Sequence, residues 1–160
     1  MTQTDTAPAL LTLDTLLAHW QGHRRLTRRV IEAFPEDQLF SFSIGGMRPF
    51  GAMVWELCTV GTLTLSGLLS GEWPMPKWGE GTPSDRATLL RAWDDLTARL
   101  DHDFARIPAG MFAQKHKLPW LETSGWDMLL YTIDNEIHHR GEGYVYLRSL
   151  GITPPPFPER

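Results

Sequence analysis

The sequence predicts an all-α protein, a four-helix bundle with long crossover connections. Three observations carry that prediction. Four long segments repeat apolar side chains at helical spacing, no segment alternates polar and apolar residues as a strand does, and the segments are separated by long stretches rich in Pro, Gly and Trp. With 160 residues the chain can bury one core, and residues 1–160 read as one domain.

The first residues, through Pro8, are polar and read as frayed. A first helix is expected over residues 9–34, with Leu13, Leu16, Leu17, Trp20, Thr27, Val30, Ile31 and Phe34 on its stripe, closed by Pro35. A connection with a Gly-Gly turn leads to Pro49, where a second helix opens and runs over residues 50–69. That helix is apolar on nearly all sides and therefore belongs inside the bundle; Glu56 is the one carboxylate in it. Ser84 or Asp85 caps a third helix over residues 86–107, with Leu89, Leu90, Trp93, Leu96, Leu100 and Phe104 along one stripe. Ser124 caps the last helix, residues 125–150, which ends at Gly151 before a proline-rich tail.

Composition limits the function classes. The net charge is −4, which offers no general field for nucleic acid, and the arginines of "HRRLTRR" (Arg24, Arg25, Arg28, Arg29) read as a solvated face. No uninterrupted apolar stretch reads as a membrane span, and the N-terminus lacks the features of a signal peptide. Cys58 is the single cysteine, in an apolar run, and reads as a core residue in a reducing, cytoplasmic setting.

The residues that could carry chemistry lie on three helices. His19 and His23 stand four apart on the first, a spacing at which two imidazoles can grip one ion or simply pair. Glu56, in its apolar surroundings, needs a partner: a cation, Arg140 or His139. On the last helix a wheel puts Trp126, Leu129, Leu130, Ile133, Ile137 and Tyr144 on one face, and Met128, Asn135, His139, Glu142 and Tyr146 on the opposite one. His138 and His139 then diverge, and the two are not expected to ligate one ion together. Trp73, Trp78 and Trp120 stand beside prolines in the long loops, either at a pocket mouth or packed on the bundle.

The segment "HHRGEGYVYLRSLGITPPP" (His138 to Pro156) is similar to the C-terminal signature of the DinB/YfiT-like family: histidine, Arg-Gly-Gln, Leu-Arg, Gly and prolines. "HWQGHRRLTRRVIEAFPEDQL" (His19 to Leu39) resembles that family's first helix, and the order of elements agrees over nearly the whole chain. The resemblance implies a four-helix bundle, commonly a homodimer, with a divalent metal (Zn, Ni, Mn or Fe). The metal is held by one histidine of the second helix and an H-x-x-x-H pair of the last. Carried over by position, these ligands fall on Glu56, Asn135 and His139, so one of the three expected histidines is present and Glu142 replaces the usual glutamine. Glu142, His138 and Tyr146 become surrounding groups, with Glu142 a further oxygen donor.

Two functions follow from the resemblance. The first is a metal-dependent enzyme with a variant site, a thiol-dependent or small-molecule transferase or a hydrolase, acting on a small-molecule substrate such as a low-molecular-weight thiol. The alternative is a non-catalytic dimeric bundle that has lost the metal and binds a small or stress-related ligand. DNA binding is suggested by the family name alone, and the acidic balance argues against it.

Overall fold

The structure is a computed structural model, and it describes residues 11–160; the start predicted through Pro8 and the helix onset predicted at Ala9 lie outside them. Thr12 sets the first helix, its hydroxyl oxygen accepting from the Thr15 backbone N–H at 3.1 Å, so α1 runs Leu13–Ala33. Phe34 is extended before Pro35, and Gly45 and Gly46 turn the chain with φ of 60° and 79°, a region open to glycine. α2 is Phe50–Ser70, closed by Gly71 at φ 79°. Asp85 caps α3 (Arg86–Asp103) by accepting from the Thr88 N–H at 2.7 Å; a 3-10 turn, Phe104–Arg106, replaces the predicted last helical turn. Ser124 caps α5 (Gly125–Ser149), as its sequence position predicts.

The stretch between α3 and α5 departs from the expectation of no strands. It holds a short helix α4 (Gly110–Ala113) and a hairpin of β1 (Lys115–Lys117) and β2 (Glu122–Ser124), antiparallel with Lys115 opposite Ser124. Strands this short leave no alternation to read, so the pairing is set by the turn and by the helices around it.

Each of α1 and α2 packs against both α3 and α5, which places α1 and α2 on one diagonal. One core cluster joins Leu16 and Trp20 to Leu65, Leu100 and Leu129; the other joins Val30 and Phe34 to Val54, Leu89 and Leu147. The start of α1 thus meets the ends of α2 and α3, making α2 parallel to α3 and α1 parallel to α5. Residues 71–85 must then return along the whole bundle. Extended, they span about 50 Å, against about 32 Å for the 21 residues of α2. This crossover passes over α2 and forms one wall of the site described below.

Two sequence expectations are corrected by the packing. α2 is long and apolar enough to cross a membrane, contrary to the reading of the sequence, but most of it is buried against α3 and α5. The buried face of α5 is Met128, Leu129, Thr132, Ile133, Glu136, His139, Arg140, Gly143, Tyr146 and Leu147, while Trp126 and Leu130 are exposed. The face turned inward lies between the two that the wheel distinguished, because buried polar residues share it with apolar ones.

Candidate functional site

Glu56 of α2 and His139 of α5 meet across the bundle. His139 Nε2 is 3.3 Å from Glu56 Oε1, and Asn135 Nδ2 lies 3.5 Å from the same oxygen. The other Glu56 oxygen is paired with Arg48 from the connection before α2. His139 Nδ1 lies 2.6 Å from Glu142 Oε2, one turn further along α5. The structure therefore brings Glu56, Asn135, His139 and Glu142 into one cluster, three of them stacked on α5 at i, i+4 and i+3 spacing.

The electrostatics follow from these contacts. The hydrogen bond with His139 is the main reason the Glu56 carboxyl drops to about 2; burial opposes this and Arg48 adds to it. For His139, burial works against charging, but the carboxylates of Glu56 and Glu142 outweigh it and raise the pKa. Two carboxylates face one imidazole and one guanidinium, so a proton or another cation on the imidazole would balance the cluster's charge.

His138 is mostly exposed, with Nε2 3.8 Å from Glu142 Oε1. The ligand atoms of His138, His139 and Glu142 all lie within 4.8 Å of one another, which corrects the expectation that the adjacent histidines diverge too far to share an ion. Glu142 is i+4 from one and i+3 from the other, and both imidazoles lean toward it. Tyr146 is buried, and its hydroxyl donates to the Arg48 carbonyl at 3.0 Å, fixing the residue that pairs with Glu56.

Arg140, considered as a partner for Glu56, points instead to α1. It donates to Thr27 Oγ1 at 3.1 Å and to His23 Nδ1 at 2.9 Å, and lies 3.9 Å from Glu136. Glu136 is a buried carboxylate that the sequence reading passed over. It accepts from Thr27 Oγ1 at 2.7 Å and Trp20 Nε1 at 3.2 Å, with Arg24 at 3.8 Å. Arg24 is itself buried, over the Trp93 ring at 3.8 Å and bonded to Thr97 Oγ1 at 2.7 Å, which corrects the solvated-face reading of this arginine. One signal was available: Arg24 stands four residues after Trp20 and three before Thr27, on the helix stripe itself.

His19 and His23 do pair, Nε2 to Nε2 at 3.1 Å, but beside Arg140 and Arg160 rather than Glu56. Guanidinium groups on both ring nitrogens of His23 make this a poor place for a cation. Trp73 is buried against Gly67 and His116, so it packs the core; Trp78 and Trp120 remain exposed in the loops.

Do the residues suit a divalent ion? Two atoms that share an ion at about 2.1 Å stand about 3.0–3.4 Å apart. The 3.3 Å between His139 Nε2 and Glu56 Oε1 matches that spacing, and turning the Asn135 amide over brings its oxygen to the 3.5 Å contact. Glu142 holds the other imidazole nitrogen, the arrangement that aims metal-binding histidines. The Glu56–His139 pair thus has the spacing of two donors to one divalent ion, with the Asn135 amide just outside it.

A four-helix bundle with this connectivity, and an acid–imidazole cluster between its second and last long helices, defines a class of proteins that can hold a small cofactor between helices. The chain belongs to the DinB family, whose sequence model matches residues 1–160. Solved structures with the same fold include a DinB-like protein from Bacillus cereus, at 18% identity and TM-score 0.72, over 89% of this chain and 95% of that one. A DinB-like protein from Bacillus subtilis is similar at 19% identity and TM-score 0.72, over 91% of this chain and 97% of that one. None of the curated proteins compared with the chain matches it.

Proposed function

We propose that this protein is a divalent-metal-dependent enzyme of the DinB class with a variant site, a transferase joining a low-molecular-weight thiol to a small-molecule substrate. The observation that carries this reading is the convergence of Glu56 Oε1, Asn135 and His139 Nε2 within 3.3–3.5 Å, with Glu142 behind the imidazole. An ion bound there would lower the pKa of a coordinated thiol enough to make it a nucleophile near neutral pH.

In this reading Glu56 and His139 hold the ion and Asn135 adds a weak neutral donor. Glu142 fixes the imidazole so that Nε2 faces Glu56. Arg48 draws charge from Glu56 and makes the site a weaker trap than one with three imidazoles. His138, exposed beside Glu142, would take up the thiol proton and pass it to solvent. Zn, Ni, Mn and Fe remain the ions to try, with oxygen donors favouring the harder ones.

Elemental analysis of protein purified without chelator tests the proposal. We expect stoichiometric divalent metal, lost in Glu56→Gln and in His139→Ala. No metal in the native protein, together with no thermal shift on adding Mn, Fe, Ni or Zn salts, would sink it.

A second reading is favoured by one observation: Arg48, His139 and Asn135 already occupy both Glu56 oxygens. There the metal is lost, the ion pair ties α2 to α5, and a dimeric bundle serves as a binder of small or stress-related ligands. Exposed Leu130 and Val145 on α5 support a homodimer in either case. A reducing, cytoplasmic setting fits the single cysteine, Cys58, which is buried and unpaired.

A further inference from the structure

We propose that the hollow walled by Trp78 and Trp120, next to the cleft that holds Glu56, takes the flat body of a small aromatic molecule, with its one polar group turned toward Glu56. This deepens the functional proposal and rests on its reading of the Glu56 end as the reactive one.

The crossover 71–85 does not lie flat on α2. It leaves a hollow of about 270 Å³ with Arg48, Glu56, Trp55 and Trp78 in its walls. Trp78 also walls a second hollow, of about 360 Å³, with Trp120, Met128 and Tyr131. The two spaces are therefore neighbours around one indole, and the second alone reaches the size of small-ligand pockets, about 300 Å³ and upward. Arg48 and Glu56 wall the first, and indole, phenol and thioether groups wall most of the second, with Thr123 and Asp127 as its polar side chains.

Trp78 and Trp120 are 53% and 43% exposed, although their rings are only 6.2 Å apart and tilted by 59°. Two neighbouring tryptophans left this open form an apolar patch of the kind that marks a binding surface. Their supports are hydrogen-bonded. Trp55 Nε1 donates to the Glu80 carbonyl at 3.0 Å, tying the crossover to α2, and the Leu118 N–H donates to the Leu121 carbonyl at 2.8 Å, closing the turn that carries Trp120. Walls held in place before binding lose little freedom on contact. An aromatic guest also gains ring–ring contacts with two indoles and a phenol, beyond the burial of area that any apolar guest gains.

The test uses 2-naphthol and its saturated counterpart decahydro-2-naphthol, which share a carbon skeleton and a single hydroxyl. Titration calorimetry is run on the full chain, with and without added Zn or Mn. We expect 2-naphthol to bind, decahydro-2-naphthol to bind at least fivefold more weakly, and Trp78→Ala and Trp120→Ala each to weaken 2-naphthol at least tenfold. Phe157→Ala, on the distant tail, should leave the affinity unchanged.

Equal affinity for the two alcohols overturns the proposal, as does 2-naphthol binding that survives both tryptophan substitutions. So does a change of oligomeric mass, rather than of naphthol affinity, in the tryptophan variants, which would assign the patch to a second copy of the chain. Naphthol binding without any metal uptake supports the cleft and removes the metal-enzyme reading; metal uptake without naphthol binding does the reverse.

Discussion

His139 Nε2 on α5 lies 3.3 Å from Glu56 Oε1 on α2, across the interior of the bundle. The contact joins two helices that the chain enters more than seventy residues apart, and it places an imidazole where it can serve as a cation or as a ligand. Glu142 behind the ring decides its orientation in both roles. What distinguishes the site from a richer donor set is Asn135, one turn before His139 on the same helix.

Asn135→His should therefore raise affinity for Zn or Ni by at least tenfold over the native protein, measured by calorimetry. The substitution puts two imidazoles at i, i+4 on one helix face, toward a carboxylate already in place. Unchanged affinity would mean that the amide position does not face the ion.

Glu136→Leu should cost about 3–5 kcal/mol of stability in urea unfolding, the range for removing one partner of a buried charge cluster. Arg24 and Arg140 would remain buried without their carboxylate, and Trp20 Nε1 and Thr27 Oγ1 would lose an acceptor. A loss under about 1 kcal/mol would show that the arginines relax to other partners, since that is the range of exposed pairs.

Gly143→Ala sets two effects against each other. Replacing a helical glycine gains about 0.5–1 kcal/mol from the backbone. The added methyl, however, would stand 2.5 Å from the ring of Phe50, which is fully buried and stacked on Phe34 at 4.8 Å. Overpacking of that kind costs about 1–3 kcal/mol, so the net change should be a destabilisation seen as a lower thermal midpoint. An unchanged or higher midpoint would mean that the Phe34–Phe50 stack shifts freely.

The helices were legible because their signals are local: Asp85 and Ser124 cap where the sequence places them, and the apolar stripes of α1 and α3 face inward. The hairpin was not, because three-residue strands hold no period. The wheel put Asn135, His139 and Glu142 on one face, and charge burial offered His139 among the partners of Glu56. Only the family resemblance chose Glu56 for that face, since nothing in the spacing says that α2 lies beside α5. Arg48 was missed because it sits in a connection eight residues before its partner. Arg24 and Glu136 were missed for a different reason: a charged side chain reads as surface until an opposite charge from a distant helix is known to meet it.

His23 gives the stability of the fold a pH dependence with a definite sign. Burial, and after it the charge of Arg140, lower its pKa from 6.5 to about 4, so the ring is neutral in the folded protein at pH 7. Arg140 donates to Nδ1 at 2.9 Å, a bond that protonation of the ring would destroy. In the unfolded chain the same histidine titrates near 6.5. Between those values the unfolded state binds the extra proton, so stability rises with pH. The contribution is complete above about pH 6.5 and is lost as the pH falls toward 4. At about 1.4 kcal/mol per pKa unit, the full loss is on the order of 3–4 kcal/mol. His23→Gln keeps an amide oxygen for Arg140 but cannot titrate. The gap in unfolding free energy between the native protein and this variant should therefore change by about 2 kcal/mol between about pH 7 and about pH 4.5, moving against the native protein as the pH falls. Parallel curves for the two proteins across that range would show that His23 holds its proton equally in the folded and unfolded chains.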